Sequence, residues 1–589
     1  MKKFLLITGL FFGIQLSFAQ NSTSYKVHSH NDYLQDVPFW KAFSAGANSV
    51  EADLFLVNDS LFVAHTQTEI EEHRDFERLY LQPIQRNMEY GKGFDTPFQL
   101  LVDIKSEAKP TLKKLIAVLN NYPKIISNKK VSIVISGNRP EPKDYVNYPD
   151  FIWFDYQSVQ PVENQKIMDK IALVSLSFKR VTAWNGKGRL TKGDLEKVTS
   201  VIKKAHKLGK PFRFWATPDS KTAWKALAHL GVDYINTDMP FECVAYMSTL
   251  PEREYQNQVF SEVYKPSFAS DQKKSKVKNV ILLIGDGNGL TQISATTLAN
   301  NGETTLTQLK SIGFLKTQSA DDFTTDSAGA GTALATGHKA PNRAIGMTAK
   351  GKVENITEIL NRKGFVSGII TTDEISGATP SSFYAHQMDR SLSDGIRKDL
   401  EKSYIAVIAS TDRSESFKDS KFTFLKSPED LASSTNTNIG FLMGKVDDKD
   451  KKELAITTKH TLKYLENTKN PFFLMVEGAK IDSHGHTNEI DGVINEGIGF
   501  DQAIAEALKF ADQNKNTLVV ITADHETGGL TIPQGKIEKH EIEGDFTTHD
   551  HTGVMVPIFA YGPQSQLFQG VYENNEVFHK ILEVLNVQQ

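Results

Sequence analysis

Four strand-length apolar runs in the second half of the chain each carry acids or histidines at one end, and no other feature narrows the possible folds as far. Val280–Ile284 runs into Gly285-Asp286-Gly287-Asn288-Gly289, and Phe472–Val476 into Glu477, with Asp482, His484 and His486 close behind. Leu518–Ile521 leads towards Asp524-His525, and His551-Thr552-Gly553 stands just before Val556–Tyr561. Uninterrupted apolar runs of this length suit strands buried on both faces, the condition inside a mostly parallel sheet covered by helices. Open sheets of that kind build their sites at the carboxyl edge, so the acids and histidines are predicted to converge there. Asp and His are ligands for zinc, and paired ions serve phosphoryl transfer. Singly, each has an ordinary role: Asp286 in a turn, His525 as a packed polar group, His551 in a loop. Their recurrence at the ends of apolar runs is what points to a shared site.

Asp326-Ser327-Ala328-Gly329-Ala330-Gly331-Thr332-Ala333 reads as the start of a helix. An Asp-Ser pair before alanines also serves as a plain N-cap. A serine hydroxyl becomes a competent nucleophile when a base, a metal or a positive dipole stabilises its alkoxide. The free N–H groups and partial positive charge of a helix N-terminus suit an alkoxide and then a covalent phosphate.

From about Val277 to the C-terminus these residues resemble the alkaline phosphatases. The resemblance implies that Ser327 is the nucleophile that becomes phosphorylated. It implies one zinc held by Asp286, Asp524 and His525, and a second by Asp482, His486 and His551. Thr379, in Thr372-Asp373-Glu374-Ile375-Ser376-Gly377-Ala378-Thr379-Pro380, falls where the family binds magnesium, with Glu477 and Asp286 completing that site. Arg390, in Tyr384-Ala385-His386-Gln387-Met388-Asp389-Arg390, falls where the family clamps phosphate, and a guanidinium fork fits two non-bridging oxygens. The chain departs from the family pattern at Gly377, usually Asp or His, and at Ser483, often Lys or His. His484 competes with His486 for the ligand position. The arginine clamp and the absence of a Cys-x-Pro-x-Arg setting favour a phosphomonoesterase over a sulfatase or a diesterase of the same superfamily. The interval from Arg390 to Glu477 is short beside that of elaborated family members, which argues against a large crown-like insertion.

At 589 residues the chain exceeds what one core usually supports, so two domains are expected. A net charge of −4 without a basic stripe leaves no nucleic-acid footprint. Lys2-Lys3, the apolar run Phe4–Ile14 and Ser17-Phe18-Ala19 read as a secretory signal peptide, too short and too soon interrupted by Gln15 for a transmembrane anchor. A bacterial periplasmic or secreted location follows. Cys243 is the single cysteine, so intramolecular disulfides are impossible and bound metal is the expected staple.

Strand-like runs also punctuate the N-terminal half, near Tyr25–His28, Ser49–Phe55, Leu100–Ile104, Val131–Ser136, Phe151–Phe154, Ala172–Leu176, Phe212–Trp215 and Tyr234–Thr237. Eight runs alternating with helical stretches predict a (β/α)8 TIM-type barrel with its site at the C-terminal strand ends. Those ends carry His28, His30, Glu51, Asp53, Asp103, Lys105, Asp155 and Asp238. His28-Ser29-His30-Asn31-Asp32-Tyr33, Ser49-Val50-Glu51-Ala52-Asp53 and Val63-Ala64-His65 resemble the glycerophosphodiester and phosphoinositide phosphodiesterases. The resemblance implies His30 and His65 as an acid/base pair, Glu51 and Asp53 on a calcium or magnesium ion with Asp103 as a further ligand, and Lys105 on phosphate. Two departures stand out: the usual His-Arg-Gly is His30-Asn31-Asp32, without the arginine, and the usual glutamate is shortened to Asp103. A non-catalytic barrel that binds lipid or sugar phosphates is the alternative.

The sequence thus divides into a signal peptide at 1–19, a phosphodiesterase-like barrel at 20–249, a polar linker at 250–276 and an α/β sandwich with a mostly parallel central sheet at 277–589. Small phosphomonoesters and phosphodiesters, including lipid-derived head groups, are the expected partners. The oligomeric state is left open.

Overall fold

The computed structural model describes residues 25–91, 93–417, 420–444 and 451–588; the signal-peptide segment lies outside them. The chain forms two compact units that divide between Leu250 and Pro251.

In the first unit eight parallel strands close into a barrel. They are Lys26–Ser29, Ser49–Val57, Phe98–Ile104, Val131–Gly137, Ile152–Tyr156, Ile171–Ser177, Phe212–Trp215 and Tyr234–Thr237. The first strand pairs with both the second and the last, which closes the ring. A ninth strand, Ser60–Val63, folds back antiparallel on Ser49–Val57 and is absent from the sequence reading. Alternation along the strands separates two environments. Val50, Ala52 and Leu54 pack with the helices in the apolar core, whereas Glu51 and Asp53 face the opposite way. Register then gathers the acids, because Asp53 pairs with Asp103 on the neighbouring strand.

The second unit is built on a ten-stranded mixed sheet. At its centre Val366–Thr371, Phe472–Gly478, Asn279–Gly285 and Thr517–Ala523 lie side by side and parallel. Alternate residues of the run at 280–284 enter different cores. Val280, Leu282 and Ile284 pack with the helix Glu576–Leu585, and Ile281 and Leu283 with Glu453–Asn467 and Ile490–Asn514. Burial on both faces is why this strand is uniformly apolar. Register places Gly285 opposite both Gly478 and Ala523, so Asp286 and Asp524 emerge side by side at the carboxyl edge. The strand Val556–Tyr561 runs antiparallel to Thr517–Ala523, so its beginning reaches the same edge and brings His551 there.

The helix Ser327–Thr336 is capped by Asp326, whose side chain accepts from Gly329 N at 2.8 Å, and ends at Gly337 in the left-handed region. Its small residues have a packing reason. A Cβ on Gly331 would lie 2.9 Å from Ser382 Oγ and 3.3 Å from Thr379 Cα, so only glycine lets the Ser327 helix and the Thr379 segment approach so closely.

The segment after Pro251 is bound to this second unit. Glu254–Gln256 pairs with Glu541–Asp545, and Tyr264 and Ser267 bond Asp512. Buried Asp501 accepts from Ser261 Oγ at 2.8 Å, Thr305 N at 3.1 Å and Leu306 N at 2.9 Å. Asp501→Ala strands two buried N–H groups and is expected to cost about 2–4 kcal/mol. All five tryptophans lie before residue 225, so their fluorescence reports the first unit. The expected result is a circular-dichroism transition shifted to lower urea with the fluorescence transition unmoved. Among the described residues no helix is long and apolar enough to cross a membrane.

Candidate functional site

Strand ends, one helix start and one turn deliver the polar groups of the second unit to a single patch. Ser327 is the first residue of its helix, 4% exposed, with Oγ 3.3 Å from His525 Nε2. His525 Nε2 lies 3.2 Å from Asp524 and 3.5 Å from Asp286. Asp286, Asp524 and His525 each offer a ligand atom within 4.8 Å of the others. Beside this group, His486 Nε2 is 3.1 Å from His551 Nε2, and Asp482 lies 3.4 Å from His486 through Oδ2 and 3.5 Å from His551 through Oδ1. Ligand atoms within 4.8 Å of one another come here from Asp482, His525 and His551 and from His486, Asp550 and His551. The two groups touch where the His525 and His551 rings stack at 3.5 Å. His486 Nδ1 sits 2.5 Å from the His549 carbonyl and His551 Nδ1 2.7 Å from the Thr325 carbonyl, leaving both Nε2 atoms turned inward. His484 points elsewhere, with its Nδ1 2.7 Å from Glu489.

The electrostatics are those of a site that wants cations. Asp286 Oδ1 and Asp524 Oδ2 are buried without a hydrogen-bond partner, an expensive state for carboxylates unless positive charge meets them. Burial and the nearby Asp524, Asp482 and Glu477 push the Asp286 carboxyl well above the usual range. Burial and Asp482 raise Asp524 to about 6, and burial together with Asp373 and Asp524 raises Glu477 to about 8. Burial and His551 hold His525 down at about 3, which keeps its ring neutral, the form that binds metal. Oxygen and imidazole donors of this kind, with orphaned carboxylate atoms among them, fit zinc. Thr379 Oγ1 donates to Asp286 Oδ2 at 3.4 Å, and Thr371 Oγ1 donates to buried Glu477. Arg390, partly exposed, donates to Asp326 at 3.3 Å beside the nucleophile.

At the barrel mouth, His30, Asn31, Glu51, His65, Asp103 and Lys105 line a cavity of about 430 Å³. Glu51, Asp53 and Asp103 offer ligand atoms within 4.8 Å of one another, and Asp53 Oδ1 is buried and unpartnered, an arrangement that fits a hard cation. His30 Nδ1 lies 2.7 Å from Asp238, and His65 Nδ1 3.2 Å from Asp53. Burial opposes protonation of His30, but the Asp238 bond together with the negative charges of Glu51 and Asp238 outweighs it and raises the pKa. Lys105 Nζ is 3.0 Å from Asp53 and 3.4 Å from Asp103. Burial and Glu51 push Asp103 up to about 7. Space for its carboxylate is made by Gly137 at φ 66°, where a Cβ would collide with Asp103 Oδ1.

One functional group escaped the sequence reading. Arg213, 3% exposed, donates to Glu51 at 2.9 Å and to Asn236 at 3.1 Å, with buried Nε left unpartnered. It brings a guanidinium to the cavity from the seventh barrel strand, although the first-strand motif carries none. The available signal was a lone charge between Phe212 and Phe214, which lie on the opposite strand face. His28, fully buried, lies between Ser49 at 2.7 Å and Glu51 at 2.8 Å, a structural neighbour of the site.

Comparison with known proteins gives the same two parts. The profile of the alkaline phosphatase family matches residues 277–406, 414–544 and 534–587. The AIM6-like phosphodiesterase domain matches 16–124, and the glycerophosphoryl diester phosphodiesterase family 211–240. Alkaline phosphatase 4 of Bacillus subtilis is 30% identical over 417 residues, covering 54% of this chain and 90% of that protein. The solved alkaline phosphatase of the Antarctic bacterium TAB5 is 38% identical at a TM-score of 0.50, covering 54% of this chain and 100% of that one. A variant of it was solved with Mg bound in the M3 site. Altered inheritance of mitochondria protein 6 of Eremothecium gossypii is 27% identical over 269 residues, 36% of this chain and 67% of that protein.

Proposed function

Since the chain belongs to the alkaline phosphatase family and carries a phosphodiesterase-like N-terminal domain, we propose that its C-terminal unit hydrolyses phosphomonoesters through a phosphoserine at Ser327. The observation that carries this is Ser327 Oγ at a helix start, 3.3 Å from His525 and beside buried, unpartnered carboxylate atoms of Asp286 and Asp524. Asp286, Asp524 and His525 would hold one zinc ion, and Asp482, His486 and His551 a second; Asp286, Thr379 and Glu477 would hold magnesium. Bound zinc supplies Lewis-acid stabilisation of an alkoxide and of the attacking and leaving oxygens. Ser327 attacks phosphorus and the alcohol departs. The helix N-terminus and the Arg390 fork take the phosphoryl oxygens, so charge is met by fixed donors. Water then cleaves the phosphoserine and restores the hydroxyl.

Purified protein is expected to carry about two zinc ions per chain, as a paired-ion site requires. Elemental analysis checks the content, and exhaustive chelation should abolish turnover until zinc is restored. Full activity in metal-free protein would overturn the reading.

For the barrel, the reading is hydrolysis of a glycerophosphodiester or phosphoinositide-like diester, with His30 and His65 as the acid/base pair. Glu51, Asp53 and Asp103 would hold calcium or magnesium, with Lys105 and Arg213 as the cationic groups for phosphate. The cavity with a histidine on an orienting carboxylate supports it. A diesterase yields a monoester, which is the substrate class of the second unit. The binding-module alternative draws on a different observation: Glu51 is already met by Arg213 and His28, and Asp53 by Lys105 and His65. A signal peptide at 1–19, as its composition suggests, would direct export to the periplasm or medium.

A further inference from the structure

Resting on the three-metal reading of the second unit, we propose that Asp373, held by Lys480, supplies the magnesium site with the acidic side chain that Gly377 cannot provide. Three observations meet there. First, Asp286, Thr379 and Glu477 form an oxygen set around one hydroxyl: Thr379 Oγ1 donates to Asp286 Oδ2 at 3.4 Å and also bonds Glu477, and all three residues are buried. Second, the turn after Val366–Thr371 ties Asp373 to Glu477 through one hydroxyl. Thr371 Oγ1 donates to Glu477 and accepts from Asp373 N at 2.9 Å. Third, the volume a side chain at 377 would enter is already filled. A Cβ on Gly377 would lie 2.7 Å from Asp373 Oδ2 and 3.0 Å from the Glu374 carbonyl.

Lys480 explains how Asp373 is kept in place. Its Nζ lies 3.2 Å from Asp373 Oδ1, and the two side chains are 40% and 41% exposed. A pair so exposed contributes roughly 0–1 kcal/mol to stability, so its loss leaves the fold intact. Lys480 opens the helix Lys480–Thr487, which carries Asp482 and His486, so the pair ties the Asp373 turn to the zinc-ligand helix. Magnesium prefers oxygen donors and retains several waters, and a carboxylate beside them orients those waters. On this proposal Asp373 stands in for an acid at 377 from four residues earlier in the loop, and glycine at 377 leaves room for its carboxylate.

The test uses the full chain, loaded with zinc and titrated with magnesium chloride in a calorimeter. Asp373→Asn, close to isosteric, is expected to weaken magnesium binding about 10–100-fold, the usual cost of losing an outer-shell partner, with zinc content and melting temperature unchanged. Returning the acid to the vacated position in Asp373→Ala/Gly377→Asp is expected to restore magnesium affinity, which a merely structural role for Asp373 would not do. Wild-type magnesium affinity in Asp373→Asn, or equal loss of zinc and magnesium in it, would overturn the proposal. A wild-type protein that takes up zinc but no magnesium would instead overturn the third-site reading on which the proposal stands.

Discussion

Ser327→Ala is expected to lower phosphomonoester turnover by roughly 10,000-fold or more while zinc content and fold stay intact, because removing a covalent nucleophile removes the whole reaction path. The hydroxyl bonds only loosely, at 3.3 Å to His525, so its loss strands no tightly held partner. The helix also retains its cap, since Asp326 and not Ser327 accepts from Gly329 N. Turnover of a chromogenic monoester, with metal analysis of the same sample, reads the result. A variant that turns over within tenfold of wild type would remove Ser327 from the reaction. Residual activity should come from the metal pair and Arg390, which bind phosphate without forming a covalent bond to it.

The second large effect concerns the barrel. His30→Ala and His65→Ala should each lower diesterase turnover about 100- to 10,000-fold, the range for a lost general acid or base. Neither should change monoester turnover, and Ser327→Ala should leave diesterase activity in place. Asp238→Asn offers a finer reading. The Asp238 carboxylate raises the His30 pKa. Neutralising it lowers that pKa, so the limb of the pH–rate profile belonging to His30 should move to lower pH. No diester hydrolysis by the whole protein with calcium, magnesium or manganese, on glycerophosphodiester, inositol phosphodiester or chromogenic substrate, would favour the binding-module reading.

The two units were legible in the sequence to different depths. All eight barrel strands can be read from apolar runs such as Phe212–Trp215 and Tyr234–Thr237, because their burial demands β-branched and aromatic residues in short blocks. Ser60–Val63 is missed because a hairpin extension depends on pairing with Ser49–Val57 and not on its own pattern. In the second unit the acids after Val280–Ile284 and Leu518–Ile521 announce themselves because strand direction fixes which end meets the site.

Local sequence therefore determined which residue types stand at strand ends, where Ser327 begins its helix, and that both halves are α/β. Tertiary structure decided how those ends combine. His551 precedes its strand and reaches the ligand group only because Val556–Tyr561 runs antiparallel to its neighbour. Arg213 is an isolated charge in its strand until barrel closure turns it towards Glu51, 162 positions away. His484 and His486 are two residues apart on one helix, roughly 200° around its axis. Only the packed structure turns His486 to Asp482 and His551 and sends His484 to Glu489. Spacing along the chain sets what a residue can be, but register, strand direction and packing set what it meets.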